Sequence, residues 1–214
     1  MFVAALALAL PASMARAQTA PFGIGPTIGT LGAGLDGGVR VGPYLGLRLD
    51  ASALSFDANR TISGIRYKFA TDLRSGGPAL DFYPFGGGFR LSGSVRINGN
   101  KADVTSTPTS NIRVGSNIYT PAELGTLSGD VKYNRVAPYV GLGYSGRVTD
   151  WLELGVDAGV LYQGKPSVSL GATGAFANNP MLQADLDQQH AAIQSKINWT
   201  AWYPVLTLSA LFRF

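Results

Sequence analysis

Cysteine is absent from the 214 residues. That leaves no thiolate nucleophile and no disulfide framework, and it suits an exported protein that relies on strand closure as well as many cytosolic ones. His190 is the only histidine, so neither an HExxH zinc motif nor a Cys/His ligand set can be assembled. No metal or other cofactor is expected. Charge is also sparse: 14% of residues, with 17 Lys and Arg against 13 Asp and Glu spread along the chain. Such a distribution lacks the clustered basic footprint of a nucleic-acid-binding protein. After the N-terminus, no stretch approaches the ~20 consecutive apolar residues that a transmembrane helix needs, which excludes a helical membrane protein.

Glycine (28) and aromatics (10 Phe, 9 Tyr, 3 Trp) are plentiful, and helical periodicity is almost missing before position 180. The mixture predicts an all-β chain. Residues 1–17 read as a signal peptide: Phe2 to Leu10 is apolar and Ala15-Arg16-Ala17 gives the small-x-small cleavage pattern, although no Lys or Arg precedes the run. The mature domain is then expected to be 18–214.

Period-two alternation recurs along that domain. In the last segment Trp202, Leu206, Leu208, Ala210, Phe212 and Phe214 alternate with Tyr203, Thr207, Ser209 and Arg213. One apolar and one partly polar face is what a lipid-facing strand requires. Upstream, Leu31, Ala33, Leu35 and Val39 alternate with Gly and charged residues over 28–40. After Gly42-Pro43, Leu45, Leu47 and Leu49 alternate with Arg48 and Asp50. Further hairpins turn at Pro84 to Gly88 and at Arg147 to Asp150. The segment holding Phe69, Thr71, Leu73, Leu80 and Phe82 switches its apolar face, which predicts a bulge near Gly76-Gly77. Short turns at 41–44, 84–88 and 147–150 oppose long polar connections at 57–66, 104–127 and 163–197, the latter expected to be extracellular. Seven strands are evident, and a closed barrel needs an even number. Pro21 to Pro26, folded back before Gly29, or part of Ser167 to Gly174 would supply the eighth. The expected fold is therefore an antiparallel up-and-down transmembrane β-barrel of eight strands with one helix in the last long loop.

That helix is marked by Asn179 as cap, Pro180 at the first position and a stripe of Leu182, Leu186, Ile193 and Ile197. It could cover the barrel mouth, plug the lumen, lie at the membrane interface or pack against extended strands within 151–174. His190 sits among Asp187, Gln188 and Gln189 and reads as part of a solvated face, so no catalytic residue is expected. The strings GTLGAGLDGG and PFGGGF lack the Lys-Ser/Thr of a phosphate loop and are strand and turn glycines. The remaining candidate site is the set of charged residues on inward faces: Asp36, Arg48, Asp50, Arg90, Arg96, Glu153 and Asp157. They form either a salt-bridged core or the lining of a narrow pore.

The strings GTLGAGLDGG, DFYPFGGGFRLSGSV, APYVGLGY and WYPVLTLSALFRF, over nearly the whole mature domain, resemble an uncharacterised proteobacterial family of small outer-membrane barrels. More distantly the chain is similar to the OmpA transmembrane domain, OmpX and OmpW. The resemblance implies location in the outer membrane, with lipid and lipopolysaccharide as partners. It also implies that Phe212 and Phe214 form the signal read by the barrel-assembly machinery. Function is weakly implied, because this fold hosts anchors, adhesins, channels and enzymes. The first expectation is a non-enzymatic structural or surface-interaction role through the extracellular loops, with no ligand nameable. The alternatives are a narrow channel for small or hydrophobic solutes and, more remotely, a lipid-modifying enzyme using His190.

Overall fold

The computed structural model describes residues 22–62 and 65–214, so the expected signal peptide lies outside the described residues. In chain order the elements are β1 (Phe22–Gly29), β2 (Gly32–Val41), β3 (Leu45–Ile62), β4 (Ile65–Phe82), β5 (Phe89–Asn98), β6 (Lys101–Thr107), β7 (Ile112–Val114), β8 (Asn117–Tyr119), α1 (Pro121–Leu124), β9 (Leu127–Lys132), β10 (Val136–Arg147), β11 (Leu152–Tyr162), β12 (Ser167–Ala172), α2 (Pro180–Ile197) and β13 (Trp202–Arg213). Eight of them pair antiparallel in the order β1, β2, β3, β4, β5, β10, β11, β13, and β13 pairs back to β1. The sheet is thus closed, and a closed sheet is one of two structures that satisfy a backbone inside hydrocarbon.

The eighth strand is the N-terminal candidate, Phe22–Gly29. The expected single strand over 28–40 is instead two, because the chain reverses at Thr30-Leu31 and enters β2 through Gly32, whose φ of +106° suits glycine. The reversal also redirects Leu31. Rather than facing lipid, it is 3% exposed and packs with Ala137, Tyr139, Leu161 and Val205 at the upper end of the lumen.

Below that level the outward face is apolar. Leu35, Leu47, Leu80, Val95, Val140, Leu154 and Leu208 all point away from the lumen and are exposed. Aromatics edge the belt: Tyr162 lies against Trp202 at the upper rim (centroids 4.6 Å apart), and Trp151 stacks on Phe212 at the lower one (5.9 Å, planes within 1°). Both chain ends of the barrel and the short turns 42–44, 83–88 and 148–151 share the lower side.

Along β3 and β4 the two faces exchange polarity. In the barrel, β3 points Leu45, Leu47 and Leu49 outward and Arg48 and Asp50 inward. Above Ala53 the outward residues become Ser55, Asp57 and Asn59, and the inward ones Leu54, Phe56 and Ala58. β4 does the same, with Asp72 and Arg74 outward against Phe69 and Leu73 inward. No bulge intervenes: the register runs unbroken from Leu45↔Phe82 to Ile62↔Ile65. What changes is the surroundings, from lipid outside and lumen inside to water outside and the concave side of the upper wall inside, where Phe69 and Leu73 are half-buried and Leu54 and Phe56 stay exposed. The connection expected at 57–66 is accordingly the top of a long hairpin.

The wall continues upward on this side only. β6 follows β5 along β4, Asp72↔Lys101 keeping the register of Ser75↔Asn98, and β9 and β12 extend the sheet. β1, β2 and β13 have no such continuation. Into the open side pack α2 and the β7–β8 hairpin, with a core of Val114, Tyr119, Leu124, Leu182 and Leu186. α2 begins as its sequence predicts, with the Asn179 side chain accepting from the Met181 amide and Pro180 in the first turn. Of the four placements open to it, packing against strands is the observed one, and the strand concerned is β12.

The exchange of faces predicts a position-dependent cost of charge along one strand. Leu49→Arg, outward in the middle of the belt, should destabilise the folded protein in lipid vesicles by about 2–4 kcal/mol. Asn59→Arg, on the same side ten residues later, should stay within about 0.5 kcal/mol. Urea titration of the two variants measures this, and equal costs would contradict the placement of the membrane edge.

Candidate functional site: the charged lumen and the module above it

All seven charged residues read as inward are in the lumen, and most are buried. Arg90 grips Asp157 with two bonds, Nε to Oδ1 at 3.1 Å and Nη2 to Oδ2 at 2.6 Å. Arg48 lies among three acids, 3.1 Å from Asp36, 2.7 Å from Asp81 and 3.6 Å from Asp157. Arg96 forms a fork with Asp50, one arm at 2.9 Å, and donates Nε to Ser75 Oγ at 2.7 Å. Glu153 accepts from Arg213 Nε at 2.7 Å. Asp81 and Arg213 are the members that sequence reasoning did not include. Both stand at inward positions of their strands, so alternation was a sufficient signal. Asp81 is fully buried and also accepts from Ser92 Oγ at 2.6 Å.

Glycines make room for these long side chains. A Cβ at Gly143 would collide with the Asp157 carboxylate and Arg90 Nε, and one at Gly38 with the Arg48 stem. Tyr139 lies across Gly141 and Gly159 in the same way. At the lower mouth Arg40 sits 3.9 Å over the Tyr83 ring and donates to the carbonyls of Pro43 (2.9 Å) and Gly86 (2.8 Å), tying two turns together. Above the ion pairs comes the apolar layer around Leu31, then a polar lid. There Asn100 donates to Gln163 (3.0 Å), and Gln163 donates to the Thr200 carbonyl (3.1 Å). Two voids between these lumen side chains measure about 40 and 30 Å³.

In the module above, Asp185 of α2 fastens the hairpin. Its carboxylate accepts from Tyr119 Oη (2.6 Å), Asn117 Nδ2 (2.9 Å) and the Ser116 amide (3.1 Å). Gly115 turns the hairpin at φ +58°, and a Cβ there would meet that carboxylate. The bonds from Tyr119, then Asn117 and Ser116, hold Asp185 below the usual aspartate range, while the same contact pushes the Tyr119 phenol up to about 12. His190 is half-buried on α2, without a hydrogen bond to a carboxylate or hydroxyl. Among the described residues no cluster of His, Asp and Glu could hold a metal. Phe212 faces outward in the lower aromatic rim. Phe214 is exposed and donates its amide to Phe22 O at 3.0 Å, joining the two ends of the barrel.

A closed eight-stranded wall with an apolar belt, aromatic rims, short turns on one side and a folded excursion on the other defines an outer-membrane β-barrel protein. No family model and no curated protein matches the chain. Among solved structures it is similar to CarO2 of Acinetobacter baumannii, at 22% identity over 91% of this chain and 99% of that one, with a TM-score of 0.63. CarO of the same organism aligns at 22% identity over 92% and 99%, with a TM-score of 0.61. At that identity the likeness is one of fold.

Two outcomes follow. Asp157→Leu leaves Arg90 buried without its carboxylate and should cost about 3–5 kcal/mol, while adding Arg90→Met should restore most of it. A double-mutant cycle on thermal unfolding in detergent reads this, and a double variant as unstable as the single one would refute the pairing. For Asp185, folding lowers the pKa, so the anion's contribution is complete above the ordinary aspartate value of ~3.9 and is lost as pH falls through the lower folded value. Protection of the Ser116 amide against hydrogen exchange, relative to its intrinsic rate at each pH, should therefore be full at pH 5 and fall once the pH drops below the ordinary aspartate value. In Asp185→Ala the protection should be low throughout.

Proposed function

We propose that the chain is a non-enzymatic integral outer-membrane protein whose extracellular module makes the functional contacts, the lumen being a structural core. One observation carries this: side chains fill the lumen around voids of about 40 and 30 Å³, whereas the part above it holds cavities of about 420 and 440 Å³. An eight-stranded interior is just wide enough for side chains to fill, and here they meet as ion pairs whose separation would strand buried charges. Lipid and lipopolysaccharide surround the belt in this reading. The outward Phe212 and the exposed Phe214 are the aromatic end that the barrel-assembly machinery would read during insertion.

Planar-bilayer recordings test the closed lumen. The purified barrel should give no unitary current steps at moderate voltage. Steady conductance that falls when Arg90 and Asp157 are replaced by bulky apolar residues would instead establish a pore through the charge layers.

A further inference from the structure

The cavity of about 440 Å³ lies directly above the polar lid. Phe56 of β3, Leu73 of β4 and Ala102 of β6 wall it from inward positions of neighbouring strands, and Tyr133, Trp202 and Tyr203 complete it. Its size falls within the ~300–1,000 Å³ of small-molecule sites, which are lined mainly by apolar and aromatic side chains. The polar groups along its floor are already engaged. Thr30 Oγ1 donates to the Pro204 carbonyl (3.0 Å), Tyr203 Oη to the Thr30 carbonyl (2.7 Å), and Asn100 and Gln163 hold the lid. Tyr133 Oη lies 3.1 Å from Thr200 Oγ1. Lys101 stands on the outer face of its strand, where it pairs with Asp72 and Asp103 at 3.2 and 3.6 Å. The space therefore asks its guest for apolar surface and not for charge.

Its mouth meets the membrane. β2 pairs with β3 only as far as Ala33↔Ala53, and beyond it no described strand pairs with that edge of β3. Leu54 and Phe56 are exposed along the gap, and the exposed Trp199 and Trp202 line its other side. Trp202 belongs to two surfaces, since it points outward against Tyr162 in the upper aromatic rim and also lines the cavity. An apolar space that shares a wall with the lipid-facing belt fills from the membrane, where molecules that water expels are concentrated. Five of its lining residues, Phe56, Tyr133, Trp199, Trp202 and Tyr203, carry rings, and ring faces and edges pack favourably on other rings.

We propose that this cavity binds a neutral, ring-containing apolar molecule, which enters from the outer leaflet between the β3 edge and the corner formed by Trp199 and Trp202. This rests on the reading that the region above the lumen is the working part. The two fail separately, one in a current trace and the other in a map of photolabelled residues.

Benzophenone is the probe: it is neutral, two-ringed, soluble in lipid, and inserts into nearby C–H bonds on near-ultraviolet irradiation. Irradiated with the protein in nanodiscs and mapped by mass spectrometry, it should label Phe56, Leu73 and Tyr133 saturably. Labelling of the belt, at Leu47 and Val140, should instead rise in proportion to the probe dissolved in lipid. Excess diphenylmethane, the same two rings without the ketone, should suppress the cavity labels relative to the belt; dodecane should suppress them less. Ala102→Trp, which fills the cavity from β6, should bring labelling of Tyr133 down to background. If a heat-modifiable gel shift shows that this variant misfolds, Thr71→Trp fills the same space from β4. Cavity labels that never saturate, or that persist in a folded tryptophan variant, would overturn the site. Dodecane competing as well as diphenylmethane would overturn the preference for rings.

Discussion

Hydrocarbon offers a backbone no hydrogen-bond partner, so each amide and carbonyl at membrane depth must be satisfied within the wall. The pairing of β1 with β13, from Gly23↔Arg213 to Gly29↔Thr207, completes that set. Once eight strands close, the interior has the width of packed side chains. Every inward residue then either touches its neighbour across the lumen or leaves a void. Long arginines fill such a space efficiently, and small residues beside them, as at Gly38 and Gly143, let them lie flat.

Filling a lumen with arginine brings a second requirement, because an isolated charge in a low-dielectric interior costs several kcal/mol. The four deep arginines, Arg48, Arg90, Arg96 and Arg213, are answered by Asp36, Asp50, Asp81, Glu153 and Asp157. Arg48, in contact with three of the acids, joins Asp36 and Asp81 to the Arg90–Asp157 pair, while Arg96–Asp50 and Arg213–Glu153 flank that network as separate pairs. A planar guanidinium holds such geometry better than a mobile ammonium, and no lysine occupies the lumen. The Arg96 fork reaches from β5 across to β3, and the Arg90 fork from β5 to β11. Each pair therefore acts as a strut between strands that do not pair with each other.

The barrel was legible in the sequence because lipid on one side and a polar lumen on the other impose a clean period of two. The inward set beginning with Asp36 and Arg48 follows from alternation alone, and so would Asp81 and Arg213. Two features resisted for physical reasons. Gly29 to Gly34 alternates as one strand would, and the reversal at Thr30-Leu31 depends on a single left-handed glycine that alternation cannot distinguish from its neighbours. The change of apolar face between Leu73 and Leu80 resembled a register shift, since sequence records which face is apolar and not what lies beyond it. The apolar groove beside α2 left no local signature either. Its lining comes from β4, β6, β7, β9, β12 and α2, segments brought together only by the upward extension of the wall.

That extension sets a packing problem that the barrel itself does not have. With β1, β2 and β13 ending at the membrane edge, β3, β4, β6, β9 and β12 form an open curved sheet whose concave face carries Phe69, Val104, Leu127 and Leu170. In water that face must be covered, and its cover cannot be another wall strand. α2 and the hairpin fill the gap, clasped to each other by Asp185, but no ladder of backbone bonds ties them to the wall; their attachment to it is a small apolar core and side-chain bonds such as that from Gln194 to the Pro166 carbonyl. An element held by few contacts opens at lower free energy than a closed hydrogen-bonded wall does. The parts of this protein able to yield to a ligand are thus concentrated above the membrane, while the parts that resist change are concentrated within it.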